Sequence, residues 1–442
     1  MQGVARIGER GVAVMEGPRV RCAVVLAMLV LLLAVSAGCI GGPDAVADRD
    51  IVVLKLGSDG TPQWTRTIDT GQDDGAEDLV ELPGGGFAIA ARNGSDPRHP
   101  ARPRFIRLSP DGTVAWDRFV TEGFDTARAV VPAGDGGTAV LTGNGTVVRF
   151  DPDGRTLWAR ATGISGAQAL LPLADGGFVA GGRITYHTST NITVPPTPDD
   201  PVRSLVRRVL GETPNPSTAV PVTAGIFAGE EGMAVRLSAD GGTVWERRYG
   251  EGGLDSAQSL VESPDGTGLL LVGYGAMPDA NATAGVPLLA LRLAPDGMPL
   301  PATQLGTAAF PAGARTGPAG YRVLYRTARP TADFPRGSVV DAALARDGRV
   351  LERRSIDASS AVTWTADGGY FSVGIPFGEG ESGYGDTTSE RTAASTFRAL
   401  RFDSTGALVR DQALPTGLIS QVKKVVQTAD GGYAVLALRT IE

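Results

Sequence analysis

The chain is poor in the residues that most often carry chemistry. In 442 residues there are two cysteines, Cys22 and Cys39, and two histidines, His99 and His187. Two cysteines, both near the start, exclude a disulfide framework. Two histidines, both expected in loops, argue against a His-based triad or a zinc site. There is no basic tract, and the net charge is −7, so nucleic acid is not expected as a partner. What is abundant is turn chemistry: 61 Gly and 30 Pro, with 42% hydrophobic residues to fill a core.

The first 38 residues read as a targeting segment. Arg19 and Arg21 precede an apolar run from Ala23 to Val35, which ends in Ser36-Ala37-Gly38-Cys39. A charged start, a short apolar core and small residues before a cysteine resemble a lipoprotein signal peptide, with Cys39 taking the lipid. Ser36 departs from the Leu usual at that place, and the long lead before Arg19 leaves Met15 as an alternative start. The other reading is an uncleaved signal anchor, although the run is short of the about 20 apolar residues that span a membrane. Either way, the expectation is a signal peptide at 1–38, a lipidated tether at 39–50 and a main domain at 51–442. That domain would lie at the cell surface, on the outer side of the cytoplasmic membrane.

The main domain is repetitive. "FDPDGRTLW" (150–158) has six relatives: "LGSDGTPQW" (56–64), "LSPDGTVAW" (108–116), "LSADGGTVW" (237–245), "LAPDGMPLP" (293–301), "LARDGRVLE" (344–352) and "FDSTGALVR" (402–410). Apolar residues alternate before each one, with a basic residue between them in six: Lys55, Arg107, Arg149, Arg236, Arg292 and Arg401. Alternation of period two is a strand. Asp-Pro-Asp-Gly resembles the opening of a calcium loop. However, Asp151 is replaced by Gly, Ser or Ala in five relatives, and the further carboxylates of such a loop are missing. The motif reads instead as a hairpin turn, with Pro presetting φ and Gly supplying the left-handed residue. A three-residue loop with a bulge predicts the following Trp opposite the apolar residue of the first strand.

A second hairpin follows each first one: a strand, Asp-Gly-Gly-aromatic, a strand. It occurs as "ALLPLADGGFVAGG" (169–182), "VTWTADGGYFSVG" (362–374) and "VVQTADGGYAVLA" (425–437), with looser copies at 79–91, 129–143, 260–273 and 317–326. Four strands in the 42 residues from Gly112 to Gly154 make a propeller blade. The chain opens on one hairpin type and ends on the other, so the two ends complete one blade and close the ring. The prediction is an all-β, seven-bladed β-propeller of four-stranded antiparallel blades. Residues 298–338 are degenerate enough to leave six or eight blades open. The unit, with its Trp after Asp-Gly, resembles the quinoprotein-like (PQQ-like) β-propeller repeat lipoproteins. The resemblance covers about 51–438 and implies a fold, not an activity.

If the strands of a blade are A to D from the Asp-Gly-Gly hairpin onward, length variation collects in the B–C links: 92–103, 183–232, 275–287 and 376–396. That face is the candidate binding surface, for a protein partner or a glycan. The insertion at 183–232 is polar and proline-rich, with "RSLVRRVLGE" (203–212) as a short basic amphipathic helix. There are five asparagines, each followed two places on by Ser or Thr, and only Asn215 is spoiled by a proline. Asn93, Asn144, Asn191 and Asn281 are therefore expected as exposed glycosylation sites. Asp74, Asp125 and Asp255 recur before strand A and read as turn caps rather than as a cation ring.

Two enzyme families with related motifs fit this sequence poorly. Quinone-dependent dehydrogenases share the fold, but the mature chain has no cysteine pair for them. "SADGGTVW" (238–245) is similar to a sialidase box without its Thr, and the Phe/Tyr-Arg-Ile-Pro motif is absent. No catalytic residue, metal or cofactor is assigned. The sequence reads as a lipid-anchored, extracytoplasmic binding or scaffolding module. The alternatives are a hydrolase or oxidoreductase with its site on the B–C face, or a carbohydrate-binding module using Tyr186 and Tyr384.

Overall fold

The computed structural model describes residues 48–94, 101–119, 126–193, 221–250, 254–275, 286–307, 309–327, 338–358, 361–375, 396–415, 417 and 419–441. The signal peptide, Cys39, Asp125, Asn281, His99, Tyr384 and the expected helix at 203–212 lie outside them. The described residues form strands only, in seven antiparallel four-stranded sheets. Blade 1 is β3(Asp74–Glu81), β4(Phe87–Asn93), β5(Arg102–Leu108) and β6(Val114–Phe119). Blade 2 is β7(Ala127–Pro132), β8(Thr138–Thr142), β9(Thr146–Phe150) and β10(Thr156–Ala161). Blade 3 is β11(Gly166–Pro172), β12(Phe178–Thr193), β13(Pro221–Leu237) and β14(Thr243–Arg248). Blade 4 is β15(Leu254–Glu262), β16(Leu269–Gly275), β17(Pro287–Leu293) and β18(Pro299–Thr307). Blade 5 is β19(Ala309–Gly317), β20(Gly320–Thr327), β21(Val339–Ala345) and β22(Val350–Ile356). Blade 6 is β23(Ala361–Trp364), β24(Tyr370–Gly374), β25(Arg398–Phe402) and β26(Leu408–Ala413).

Blade 7 closes the ring as expected. β27(Gln421–Gln427) and β28(Tyr433–Ile441) supply its strands A and B, and β1(Asp48–Leu56) and β2(Pro62–Ile68) its strands C and D. β1 pairs with β28 from Asp48 opposite Ile441 to Leu56 opposite Tyr433. The core lies between blades, so Ile51, Val53 and Leu436 of blade 7 pack with Leu79, Ile89 and Ile106 of blade 1. Middle strands are therefore buried on both faces, which is why β1 runs apolar for most of its length.

Each Asp-Gly motif is a turn. At 150–158, the Asp151 amide donates to Arg155 O at 2.9 Å and the Gly154 amide to Asp151 O at 3.1 Å, with Gly154 at φ 78°. The Asp151 carboxylate accepts from the amides of Asp153 (2.9 Å) and Arg155 (2.8 Å). One expectation is corrected here. Strand D carries a second irregularity, between Thr156 and Trp158, so Trp158 stands opposite Arg149 rather than Phe150. The same shift puts Trp64 opposite Lys55, Trp116 opposite Arg107 and Trp245 opposite Arg236. The extra residue moves the Trp by one place, and in a strand one place changes the partner.

The repeated residues lock blade to blade. Trp116 Nε1 donates to Pro152 O (3.0 Å), Trp158 Nε1 to Ala239 O (3.0 Å) and Trp245 Nε1 to Pro295 O (3.1 Å). Each acceptor is the turn of the next blade, and each indole lies on that turn's glycine. A Cβ on Gly154 would meet Trp116 at 2.8 Å. The aromatic after the Gly-Gly of the A–B turn receives the same ring: Trp64 lies edge-on to Phe87, and Trp158 to Phe178. The basic residue of strand C reaches the Asp of the Asp-Gly-Gly turn in its own blade. Lys55 pairs with Asp430, Arg149 with Asp135, Arg236 with Asp175 and Arg401 with Asp367. Blade 1 has no Asp in that turn, and Arg107 instead donates to Gly136 O and Pro152 O.

The degenerate blade 5 uses another device. Buried Asp341 accepts from Arg322, from Trp364 Nε1 (2.8 Å) and from the Tyr370 hydroxyl (2.9 Å), the last two in blade 6. Burial and this carboxylate raise the Tyr370 phenol to about 12.

The insertion differs from its expected polar loop. Residues 183–193 and 221–232 prolong β12 and β13 as one hairpin arm, paired out to Thr193 opposite Pro221. The eleven residues 183–193 make an arm of roughly 35 Å at the usual rise per residue. His187 and Asn191 stand on this strand rather than in a loop.

Candidate functional site

The innermost strands, β3, β7, β11, β15, β19, β23 and β27, enclose a central cavity of about 610 Å³. Six of them share one irregularity. The register shifts between Ala76 and Asp78, Ala127 and Ala129, Ala167 and Ala169, and Ala257 and Ser259. It shifts again between Pro311 and Gly313, and between Val422 and Lys424. The residue inserted at each bulge lines the cavity: Glu77, Arg128, Gln168, Gln258, Ala312 and Lys423. A bulge re-aims a side chain. Here, in every case but Ala312, it sends a polar group toward the axis from strands whose other faces are core.

Most of the charges gather on one side, in blades 7, 1 and 2, and Arg326 of blade 5 stands apart from them. Asp78 is buried. Its Oδ1 accepts from the Leu79 amide (2.9 Å) and its Oδ2 from the Val130 amide (2.9 Å), and Lys424 forms an ion pair with it. One carboxylate thus ties three blades together. Lys423 stands 3.9 Å from Glu77. Burial lowers the Lys423 ammonium from its ordinary range; Glu77 opposes this, and Arg49, Arg92 and Arg128 add to it. The sequence holds three lysines, and two of them, Lys423 and Lys424, are here. The Arg128 guanidinium makes no hydrogen bond or ion pair among the described residues, and its Nε is buried. The opposite wall is mixed, with Leu260, Phe310, Val362 and Trp364 beside Gln258 and Arg326.

The ring of bulge residues went unnoticed in the sequence, although a signal was present. Ala-Glu, Ala-Arg, Ala-Gln and Ala-Gln recur at 76–77, 127–128, 167–168 and 257–258, with Val-Lys at 422–423. Strict alternation conceals them, because a bulge breaks the period.

The expected caps divide. Asp74 is fully buried, and its carboxylate accepts from the Thr70 amide (3.0 Å), the Thr70 hydroxyl (2.9 Å) and Arg104 (3.2 Å). It caps the preceding turn and does not line the cavity. Burial raises it above the usual carboxylate range, against the pull of Thr70 and Arg104. Asp255 accepts no side-chain or backbone hydrogen bond among the described residues. Burial and the neighbouring Glu230 and Glu231 raise it as well.

Strand-A starts and B–C links do share one face: Asp74 pairs with Asn93, and Gly166 with Arg183. A further long link on that face, not anticipated, joins β20 to β21. Asn93 departs from expectation. It is 8% exposed, and its amide donates to Thr70 Oγ1 and Asp74 Oδ1. The link begins one residue too late to expose it. Asn144 is exposed, in the short β8–β9 turn. Tyr186 is held internally: its hydroxyl donates to Glu231 (2.6 Å) and accepts from Arg248 (3.0 Å).

No known protein family matches the sequence, and no curated protein does. Solved structures similar to the chain include two β-propellers. BamB from Moraxella catarrhalis is 13% identical, with 86% of this chain and 88% of that one covered, at a TM-score of 0.36. A catalytically inactive virginiamycin B lyase from Staphylococcus aureus, with quinupristin, is 10% identical, with 88% and 99% covered, at 0.45. Likeness at this level says nothing of ligand, partner or activity.

Proposed function

We propose that the protein is a non-catalytic binding or scaffolding propeller, held on the outer side of the cytoplasmic membrane by a lipid on Cys39. Its working surface is the B–C face. The observation that carries this reading is the segregation of the long links. Short turns occupy the other end of every blade, whereas the links of blades 1, 3, 4, 5 and 6 and the β12–β13 arm leave from the B–C end. A rigid ring with all its variable chain on one face is built to present that chain to something. Asn144, Asn191 and Asn281 are the glycosylation sites of this reading, and Asn93 stays unmodified.

The test is cross-linking with mass spectrometry on native membranes. A carboxylate-directed reagent suits a chain with three lysines. The expected result is lipid on Cys39 and links from 183–232 to one stoichiometric partner. A Cys39→Ala chain should leave the membrane pellet. An unmodified Cys39, or arm residues linked only within the chain, would overturn the reading.

A further inference from the structure

We infer that Lys423 is a nucleophilic amine at the central cavity, which captures a small polar aldehyde as a Schiff base. This goes beyond the anchor and the B–C face, since the cavity lies at the axis and needs neither.

The chain has three lysines, and two of them are tied down. Lys55 is buried and donates to Asp430 at 2.8 Å and to Leu56 O at 3.2 Å. Lys424 forms an ion pair with Asp78. Lys423 is held differently. The bulge between Val422 and Lys424 turns it toward the cavity. Its ion-pair partner, Glu77, stands 3.9 Å away, outside hydrogen-bond reach. The Lys423 side chain is 23% exposed, so a small molecule in the cavity can touch it.

The surroundings oppose a proton on this amine. Burial does so first, and the guanidinium groups of Arg49, Arg92 and Arg128 add to it, so the ammonium is lowered from the ordinary lysine range. Glu77 favours the charged form. The other carboxylates of this side have partners of their own: Asp73 takes Arg49 at 2.6 Å and Arg92 at 3.5 Å, and Asp78 takes Lys424. From blade 6, β23 brings Val362, Thr363 and Trp364, which carry no charge. A lysine that is desolvated and set among other cations is kept as the neutral nucleophile.

The step balances without an oxidant or a reductant. The neutral Nζ adds to the carbonyl carbon, and the C=O electron pair moves onto oxygen. One amine proton passes to that oxygen through water and gives a carbinolamine. The hydroxyl then leaves as water with the second amine proton, and the C=N bond forms. The cavity selects the aldehyde. About 610 Å³ suits a small molecule, and Arg128, Gln168, Gln258, Ser259 and Thr363 suit a hydroxylated chain better than a hydrocarbon.

The experiment uses the full chain in a non-ionic maltoside detergent, with glycolaldehyde as the probe and cyanoborohydride to reduce the imine to a stable secondary amine. Peptide mass spectrometry reads each lysine separately. Lys424 is the internal control, because at 41% exposed it should react first if exposure alone decided. The expected result is the reverse: Lys423 labelled at least about tenfold faster at pH 7, since only the free amine reacts. In urea the two should react alike. Arg128→Gln removes a repelling cation and should slow Lys423 at pH 7 but not at pH 10. Glu77→Gln removes the opposing carboxylate and should speed it at pH 7. A change of shape alone would not move the two variants in opposite directions. Propionaldehyde, of similar size, should show a smaller preference for Lys423. Label on Lys424 equal to or above that on Lys423 would overturn the inference, and so would variants that fail to move in opposite directions. An equal preference with propionaldehyde would overturn the polar aldehyde. The comparison within the native chain needs no variant, so it decides even if a variant folds poorly. A failure here would leave the lipid anchor and partner reading standing, since that is measured on membranes by a different readout.

Discussion

At the scale of the residue, the repeated polar positions divide into those that lock the fold and those that face the axis. The pairs between strand C and the Asp-Gly-Gly turn belong to the first kind, and they carry a pH signature. Asp430 is lowered from an ordinary 3.8 to about 2, first by its hydrogen bond from Lys55. Asp135, Asp175 and Asp367 are lowered as well, each held chiefly by a hydrogen bond within its own turn and further by its arginine. A carboxylate depressed in the folded state contributes stability that is present above its unfolded pKa and is lost as pH falls through the folded one. Stability should therefore fall from about pH 4 to about pH 2, the span between the two Asp430 values. Asp74 and Asp255 are raised by burial and work the other way, but above this window, since their contribution grows as pH falls toward the ordinary value of 3.8. Urea midpoints measured across this range should show the decline, and Lys55→Met should flatten it. An unchanged acid limb in that variant would mean that the pair is only a surface contact, as many exposed pairs are.

At the scale of the element, the hairpins are held by contacts that leave the blade. Gly154 needs its positive φ, and an added Cβ would collide with Trp116 of the preceding blade. Gly154→Ala should cost about 2–3 kcal/mol from backbone strain and overpacking together. Trp116→Leu should cost about 2 kcal/mol, from lost packing and the lost bond to Pro152 O. The two residues touch, so the double variant should fall short of the sum by about 1 kcal/mol. Denaturant unfolding of the four proteins measures this, and strict additivity would show that turn and indole act separately. The element scale also explains the misplaced tryptophans. Sequence spacing counts residues, whereas the bulge in each strand D inserts one that pairs with nothing, so the Trp lands beside the basic residue.

At the scale of the molecule, the closing blade decides whether there is a ring at all. β1 pairs with β2 on one side and with β28 on the other, and β28 joins this hairpin to β27. A chain ending at Ser420 would leave β1 as an open, apolar edge, since Ile51, Val52, Val53 and Leu54 are all fully buried in the intact ring. Open edges of this kind pair with other chains. Such a truncation should elute as oligomers or aggregate in size-exclusion chromatography, whereas removal of Ile441 and Glu442 alone should not. A monomeric truncation would mean that six blades are self-sufficient.

Much of this ring was legible in the amino-acid sequence. Turn residues and the period of two are local properties of the chain, so the seven hairpin pairs, the closing blade and the face bearing the long links could be read from 51–441 directly. Even the pairs of Lys55 with Asp430 and Arg149 with Asp135 were present as recurring letters, although their meeting was not foreseen. What only the tertiary structure decided is what comes together at the axis and between blades. Bulges break the local period, so Glu77, Arg128, Gln168 and Lys423 looked like ordinary strand residues until seven strands set them around one cavity. Burial is decided in the same way. Asn93 satisfies a local motif, but Thr70 and Asp74 close over it, and those neighbours arrive only when the chain folds.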